Sequence, residues 1–261
     1  MPFAELGDLR LHYEREGEGD PPLVFVHGWC CDHTFFAPQV EQFRTTHDVV
    51  ALDLRGCGAS SVPDGGYDIP TLAEDVAALC AALELERPVV VGHSLGGMIG
   101  IELAARRPSL PGAIVAVDPG PIDPLPGALR MFEALIAHLE GPSSDAARRA
   151  YVEGLFLPSD DAERKRRIVE TMCAVPAEVA AAVLRGVVEW NGVGALLLCA
   201  SPLLVLRSRT GGSNDPARLL ALKPDVQIGV TVGAGHFRQL EVPEQVTPMI
   251  ERFLRVTAGT S

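Results

Sequence analysis

Residues 89–98 have the sequence V-V-V-G-H-S-L-G-G-M: an apolar run, a small-residue turn and the start of a helix. The pattern G-x-S-x-G runs from Gly92 to Gly96 and is typical of a nucleophile elbow when a strand precedes it and a helix follows. The positions two before and two after the serine must be small, because the strand and the helix cross closely there. The serine hydroxyl then projects at the carboxyl end of the strand, next to a helix N-terminus that supplies positive potential. Ser94 is therefore the candidate nucleophile.

The flanking sequence alternates strand and helix patterns. Apolar segments bounded by turn residues predict strands at 9–13, 23–26, 48–52, 88–91, 113–117, 203–206 and 227–232. Unbroken apolar runs are typical of a parallel sheet covered on both faces. Stripes of apolar residues predict helices at 71–85 and 98–106. This order predicts an α/β fold with a doubly wound, mostly parallel central sheet.

More than 80 residues separate the strands at 113–117 and 203–206, and they carry helical patterns only. A crossover between parallel strands needs one helix, so the surplus is interpreted as an insertion. We expect an α/β core at 1–121 and 196–261, with a helical cap at 122–195 over the active site. Asp160 with Glu163 predicts the start of one cap helix. An appended bundle without a catalytic role is the alternative.

Two loops predict partners for Ser94. His236 lies in the glycine-rich sequence V-G-A-G-H-F after the strand at 227–232, where glycines let an imidazole reach the serine, so it is the candidate base. The strand at 23–26 ends in a His-Gly pair, a position suited to an oxyanion loop. The backbone N–H groups of Trp29 and Leu95 would hold the oxygen of a tetrahedral intermediate.

The chain resembles the α/β-hydrolase superfamily, in the branch with a helical cap between core strands six and seven. The resemblance runs from about Leu9 to Leu254 and includes D-L-R-G-C-G-A-S at 53–60, similar to the family's D-x-R-G-x-G-x-S turn. It implies a Ser–His–acid triad, an acyl-enzyme mechanism and no cofactor. In that turn, Asp53 and Arg55 are expected to clamp the loop. No metal site is predicted.

The triad acid departs from the commoner family pattern. The residues after the strand at 203–206, through Gly212, contain no carboxylate where the family usually places its acid. Asp118 follows the strand at 113–117, and the carboxyl ends of parallel strands face the active site. Asp215 precedes a proline, which is typical of a helix N-cap. We predict Asp118 as the acid, with Asp215 as the alternative.

These residues predict a serine hydrolase that cleaves a carboxylic ester or lactone of a small-to-medium apolar or aromatic substrate. The candidate substrate contacts are Cys30, Phe132, Trp190 and Phe237. Three alternatives stay open: a cofactor-independent ring-cleaving dioxygenase, a carbon–carbon bond hydrolase or perhydrolase, and a ligand-binding receptor that retains the triad.

Charge and composition limit the partners. The net charge is −12, with 22 Lys and Arg against 34 Asp and Glu, and such a surface repels phosphate backbones and anionic lipids. We therefore expect a small-molecule substrate, no nucleic acid and no membrane partner; a homodimer stays open. The N-terminal sequence has no signal-peptide pattern, and six scattered cysteines without C-x-x-C pairs are typical of reduced thiols. This predicts a cytoplasmic protein.

Overall fold

The computed structural model describes residues 2–124, 126–142, 144–208 and 213–258. Eight strands form one sheet in the order β1-β2-β4-β3-β5-β6-β7-β8. The β1–β2 and β2–β4 pairs are antiparallel, and the other neighbours are parallel. The predicted α/β fold with a mostly parallel sheet is confirmed. The strands are β1 (Phe3–Leu6), β2 (Leu9–Glu16), β3 (Leu23–Val26), β4 (Val49–Leu52), β5 (Val89–His93), β6 (Ala113–Val117), β7 (Leu203–Ser208) and β8 (Gln227–Thr231).

The central strands are apolar throughout because both faces of the sheet are covered. On β3, Val24 and Val26 belong to one buried cluster, whereas Leu23 and Phe25 belong to the other. Successive side chains of a strand point to opposite faces, so this division follows from the pleat. The helices that cover the two faces are α1 (Ala37–Phe43), α2 (Ile69–Ala82), α3 (Leu95–Arg106), α9 (Pro216–Leu222), α10 (Arg238–Glu241) and α11 (Pro243–Ala258).

Helix boundaries differ from the predicted ones where a cap fixes them. The helix predicted at 71–85 is α2, which begins earlier because the Asp68 carboxylate accepts a hydrogen bond from the Thr71 N–H at 2.9 Å. Asp161, and not the predicted Asp160, is the N-cap of α6 (Ala162–Ala174); its carboxylate accepts a hydrogen bond from the Arg164 N–H at 2.7 Å. Asp160 instead pairs with the Arg164 guanidinium.

Within the described residues, the chain between β6 and β7 is helical: α4 (Pro126–Leu139), α5 (Ser144–Glu153), α6 (Ala162–Ala174), α7 (Ala177–Glu189) and α8 (Gly192–Leu198). Helix α4 packs on α5 and α7, and α8 packs on α3. The predicted cap boundary at 195 thus falls inside α8, a helix that packs against α3 of the core. The assignment of 122–195 as a cap stays a prediction.

No single helix among the described residues is both long and apolar enough to cross a membrane. Among the described helices, the pair α6 and α7 taken together reaches that length and hydropathy, and the two helices meet at a bend of 92°.

Candidate active site

Ser94 occupies a tight turn between β5 and α3. Its φ of 51° and ψ of −110° lie in a region that side chains rarely adopt. A Cβ atom on Gly92 would overlap the backbone of Gly96, and one on Gly96 would overlap the carbonyl of Val26. Strand and helix therefore approach closely on both sides of the serine, which is why the G-x-S-x-G spacing requires glycine at both ends.

His236 and Asp118 are hydrogen-bonded to each other. The Nδ1 atom of His236 lies 2.7 Å from Oδ2 of Asp118, a residue with φ of 45° directly after β6. Asp215 lies elsewhere: its carboxylate caps α9 and accepts a hydrogen bond from the Ala217 N–H at 3.0 Å. The structure thus brings Asp118, and not Asp215, to the imidazole. The predicted carboxylate-free turn includes residues 209–212, which lie outside the described residues.

Arg238 is a member of this cluster that sequence reasoning missed. Its Nη2 atom lies 2.7 Å from the same Asp118 oxygen that His236 contacts, and also 3.0 Å from the carbonyl oxygen of Gly235. Its side chain is only 1% exposed, and burial lowers the pKa of its guanidinium while Asp118 opposes that shift. The sequence holds no signal for this role, because residues 237–242, F-R-Q-L-E-V, mix apolar and polar residues in no recognisable motif.

Two further side chains hold the loop that carries His236. The Glu241 carboxylate accepts hydrogen bonds from the backbone N–H groups of Gly235 at 2.5 Å and Phe237 at 2.9 Å, and burial raises the pKa of this carboxyl. Nε2 of His93 lies 3.0 Å from the carbonyl oxygen of His236. Burial holds the pKa of His93 well below its usual range, so the ring is neutral. A carbonyl only accepts, so Nε2 of His93 carries the proton.

Of the two predicted oxyanion donors, Leu95 directly follows Ser94, and Trp29 follows Gly28, where an added Cβ atom would lie 3.3 Å from the Ser94 Cβ. Leu95 is the first residue of α3, where a backbone N–H has no acceptor within its own helix. The indole Nε1–H of Trp29 donates to the carbonyl of Ala180 at 2.9 Å, which fixes the side chain. Neither backbone N–H forms a hydrogen bond within the described ranges. His27 donates from Nδ1 to the Gly28 carbonyl at 2.8 Å and therefore supports this loop.

Ser94, Asp118, His236 and Arg238 line one cavity of about 1140 Å³. The other walls come mainly from α4, α5 and the loop after β8. They are predominantly apolar, with single hydroxyl groups among them; the described lining includes Met131, Phe132, Tyr151, Leu155, Phe156, Ser208 and Thr231.

Of the four predicted substrate contacts, only Phe132 lines this cavity in the described part of the chain. Trp190 lies in a separate recess, where its indole N–H donates to Glu102 at 2.8 Å. Phe237 is fully buried and packs against Phe35 and Phe156. Cys30 is also buried, and burial raises the pKa of its thiol.

One cluster has metal-ligating residue types: His12, His33 and Asp53, with candidate ligand atoms within 4.8 Å of one another. Each imidazole Nδ1 lies 2.8 Å from a different Asp53 oxygen. Burial raises the pKa of Asp53, but the bond from His33 and the charge of His27 outweigh it and hold the pKa below its usual range. Asp53 also accepts from the N–H of Ala59 at 2.9 Å. The cluster therefore clamps the turn at 53–60, as the resemblance implies.

Comparison with known proteins identifies the family. The model of the alpha/beta hydrolase family matches residues 23–248. This chain belongs to the α/β-hydrolase family. The match includes strands β3 to β8, the helical region between β6 and β7 and the loop of His236.

Individual relatives match over most of their length. The 2-(acetamidomethylene)succinate hydrolase of Mesorhizobium japonicum is 28% identical over 270 residues, covering 96% of this chain and 94% of the relative. A thermophilic esterase from Thermogutta terrifontis is 27% identical with a TM-score of 0.85, covering 97% and 96%. Est816, an N-acyl homoserine lactone degrading enzyme, is 28% identical with a TM-score of 0.80, covering 97% and 100%. These similarities support hydrolase activity for this member of the family.

Proposed function

We propose that this chain is a serine hydrolase that cleaves a carboxylic ester or lactone through an acyl-enzyme. One observation supports this function most strongly: Ser94, His236 and Asp118 come from three separate loops and line the same cavity. Because the Asp118 carboxylate is hydrogen-bonded to Nδ1 of His236, the other ring nitrogen, Nε2, is the one that would accept the serine proton. A buried carboxylate at Nδ1 both orients the ring and stabilises the imidazolium that forms.

In the first step, the Ser94 oxygen attacks the carbonyl carbon while His236 takes the hydroxyl proton. The negative oxygen is held by the backbone N–H groups of Trp29 and Leu95, and one such donor is worth about 10²–10³ in rate. The leaving alcohol takes the proton from His236, and the acyl group stays on Ser94. Water then attacks the ester on Ser94 and passes its proton to His236, which returns it to the serine. The net reaction consumes one water and yields an acid and an alcohol; a lactone yields one hydroxy acid.

The apolar walls of the cavity favour a substrate with a small-to-medium apolar acyl group. Met131, Phe132, Leu155 and Phe156 present hydrocarbon surface to it, and burying such surface contributes about 25 cal/mol per Å². Phe132 is the predicted contact that we retain in this role.

The test compares purified parent protein with Ser94→Ala on p-nitrophenyl esters of two to eight carbons and on a matched lactone and anilide. We expect ester and lactone hydrolysis by the parent and none above background by Ser94→Ala, with both proteins folded. One relative is named for a substrate with an acetamido group, so the anilide tests amide cleavage alongside. No hydrolysis of any of them, or equal rates for both proteins, would contradict the proposal. Oxygen uptake with a hydroxyquinolone would instead support the dioxygenase alternative.

A further inference from the structure

Two side chains contact the same carboxylate oxygen of Asp118: one is a cation, and the other can become one. Nδ1 of His236 and Nη2 of Arg238 each lie 2.7 Å from Oδ2. The His236 side chain is 21% exposed and the Arg238 side chain 1%, so the imidazole is the more accessible of the two and the guanidinium is almost completely shielded from solvent. This arrangement connects a buried charge directly to the group that orients the candidate base.

The guanidinium depends on Asp118 for its charge balance. Arginine stays protonated in proteins, and a buried charge requires a partner. Among the described ion pairs, Asp118 is the carboxylate that Arg238 contacts. Glu241 is near enough to act electrostatically, but its two oxygens already accept the N–H groups of Gly235 and Phe237.

The consequence concerns how strongly Asp118 stabilises a charged His236. When the imidazole is neutral, the carboxylate is paired with Arg238. When the imidazole gains a proton, two cations share the same oxygen, and like charges within a few ångströms disfavour each other. A carboxylate with no arginine behind it would hold the imidazolium more tightly and would keep the base protonated to a higher pH.

We infer that Arg238 is a positioning residue that fixes the Asp118 carboxylate and keeps His236 available as a neutral base at lower pH. This inference rests on the proposed function for its catalytic meaning, but the protonation of His236 can be measured without any substrate. The titratable and charged groups near His236 and Arg238 are Asp118 after β6, His93 at the end of β5, Arg207 on β7 and Glu241 on α10. Asp160 and Arg164 lie beyond Glu241.

The experiment follows the His236 imidazole by NMR titration in ¹³C-histidine-labelled protein without substrate. The signal is assigned by its loss in His236→Gln. In Arg238→Met we expect the titration midpoint to rise by about one pH unit, the low end of a close charge effect. Arg238→Gln, which keeps a polar side chain, is a second neutral variant in case Met at this position does not fold. Arg238→Lys retains the charge and should keep the parent midpoint.

Arg164→Met is the matched control, because Arg164 is a partly buried arginine near the same loop that pairs with Asp160 instead of Asp118. Its midpoint should stay at the parent value. An unchanged or lowered midpoint in a folded neutral variant would overturn the inference and leave Arg238 with a packing role only. Should neither neutral variant fold, Asp118→Asn is compared with the double variant Asp118→Asn/Arg238→Met, in which neither charge of the buried pair remains. The midpoint should be higher in the double variant than in Asp118→Asn, and equal midpoints would overturn the inference.

The rate profile separates this inference from the proposed function. If the parent hydrolyses esters, the acidic midpoint of kcat/KM should rise in Arg238→Met as the NMR midpoint does. If no ester is hydrolysed while the NMR midpoint still moves, the proposed function fails and the role of Arg238 stands. If esters are hydrolysed and neither midpoint moves, the function stands and the role of Arg238 is wrong.

Discussion

Replacing Asp118 by Asn should remove most of the activity and lower Tm while retaining the fold, because the buried Arg238 cation loses its anionic partner. Two donors converge on Oδ2, so the amide oxygen of Asn will occupy that place and still accept from Arg238 and His236. The geometry is retained, but the negative charge is lost. Losing a close opposite charge shifts proton affinity by about one to three pH units, at 1.36 kcal/mol per unit.

The imidazolium formed during acylation would then face the Arg238 cation with no anion between them. Adding that repulsion, we expect kcat to fall by about 10² to 10⁴, the upper value being that of a serine triad without its acid. The assay is initial-rate hydrolysis of p-nitrophenyl butyrate at pH 8, with circular dichroism and Tm to verify folding.

Asp215→Ala is the matched control. Asp215 caps α9, so its loss should cost about 1 kcal/mol of stability and change kcat by less than about twofold. In a chain of this size that corresponds to a fall in Tm of about 2 °C. A folded Asp118→Asn with nearly parental kcat, beside an inactive Asp215→Ala, would refute this account of the acid.

Four further substitutions test other parts of the structure. Phe132→Ala should lower kcat/KM for long-chain esters more than for acetyl esters, because it removes apolar surface that a longer acyl chain would contact. Trp190→Ala should lower Tm without altering that preference, since its indole N–H donates to Glu102 outside the cavity. Gly96→Ala should yield little folded protein in expression trials, because its Cβ would overlap the Val26 carbonyl. The Asp53 pKa lies below its ordinary 3.8, so its stabilising contribution is present above pH 3.8 and disappears as pH falls through the lower folded value. Urea unfolding between pH 2 and 5 should therefore show a weaker pH dependence in Asp53→Asn.

The sheet and the position of Ser94 could be predicted from the sequence because both depend on local patterns. The strand, the turn glycines and the helix start around Ser94 are contiguous, and steric overlap at Gly92 and Gly96 permits few other residues. The place of Asp118 followed from a general rule about strand ends, and the structure puts its carboxylate against His236.

The cavity contacts could not be predicted in the same way, because side-chain direction depends on packing between distant segments. Trp190 follows α7 at the end of the predicted cap, yet its indole turns to Glu102 on α3. Phe237 adjoins His236 in sequence, but its ring packs inward against Phe35. Arg238 was missed because a charged residue after the candidate base has no recognisable motif, and only the fold places Asp118 beside it.

The central claim, a nucleophilic serine at position 94, is tested most directly by labelling with a fluorophosphonate probe followed by peptide mass spectrometry. The account predicts one adduct per chain, on Ser94, and no adduct in folded Ser94→Ala. An adduct on another residue, such as Cys30 or Cys31, or equal labelling of Ser94→Ala, would contradict it.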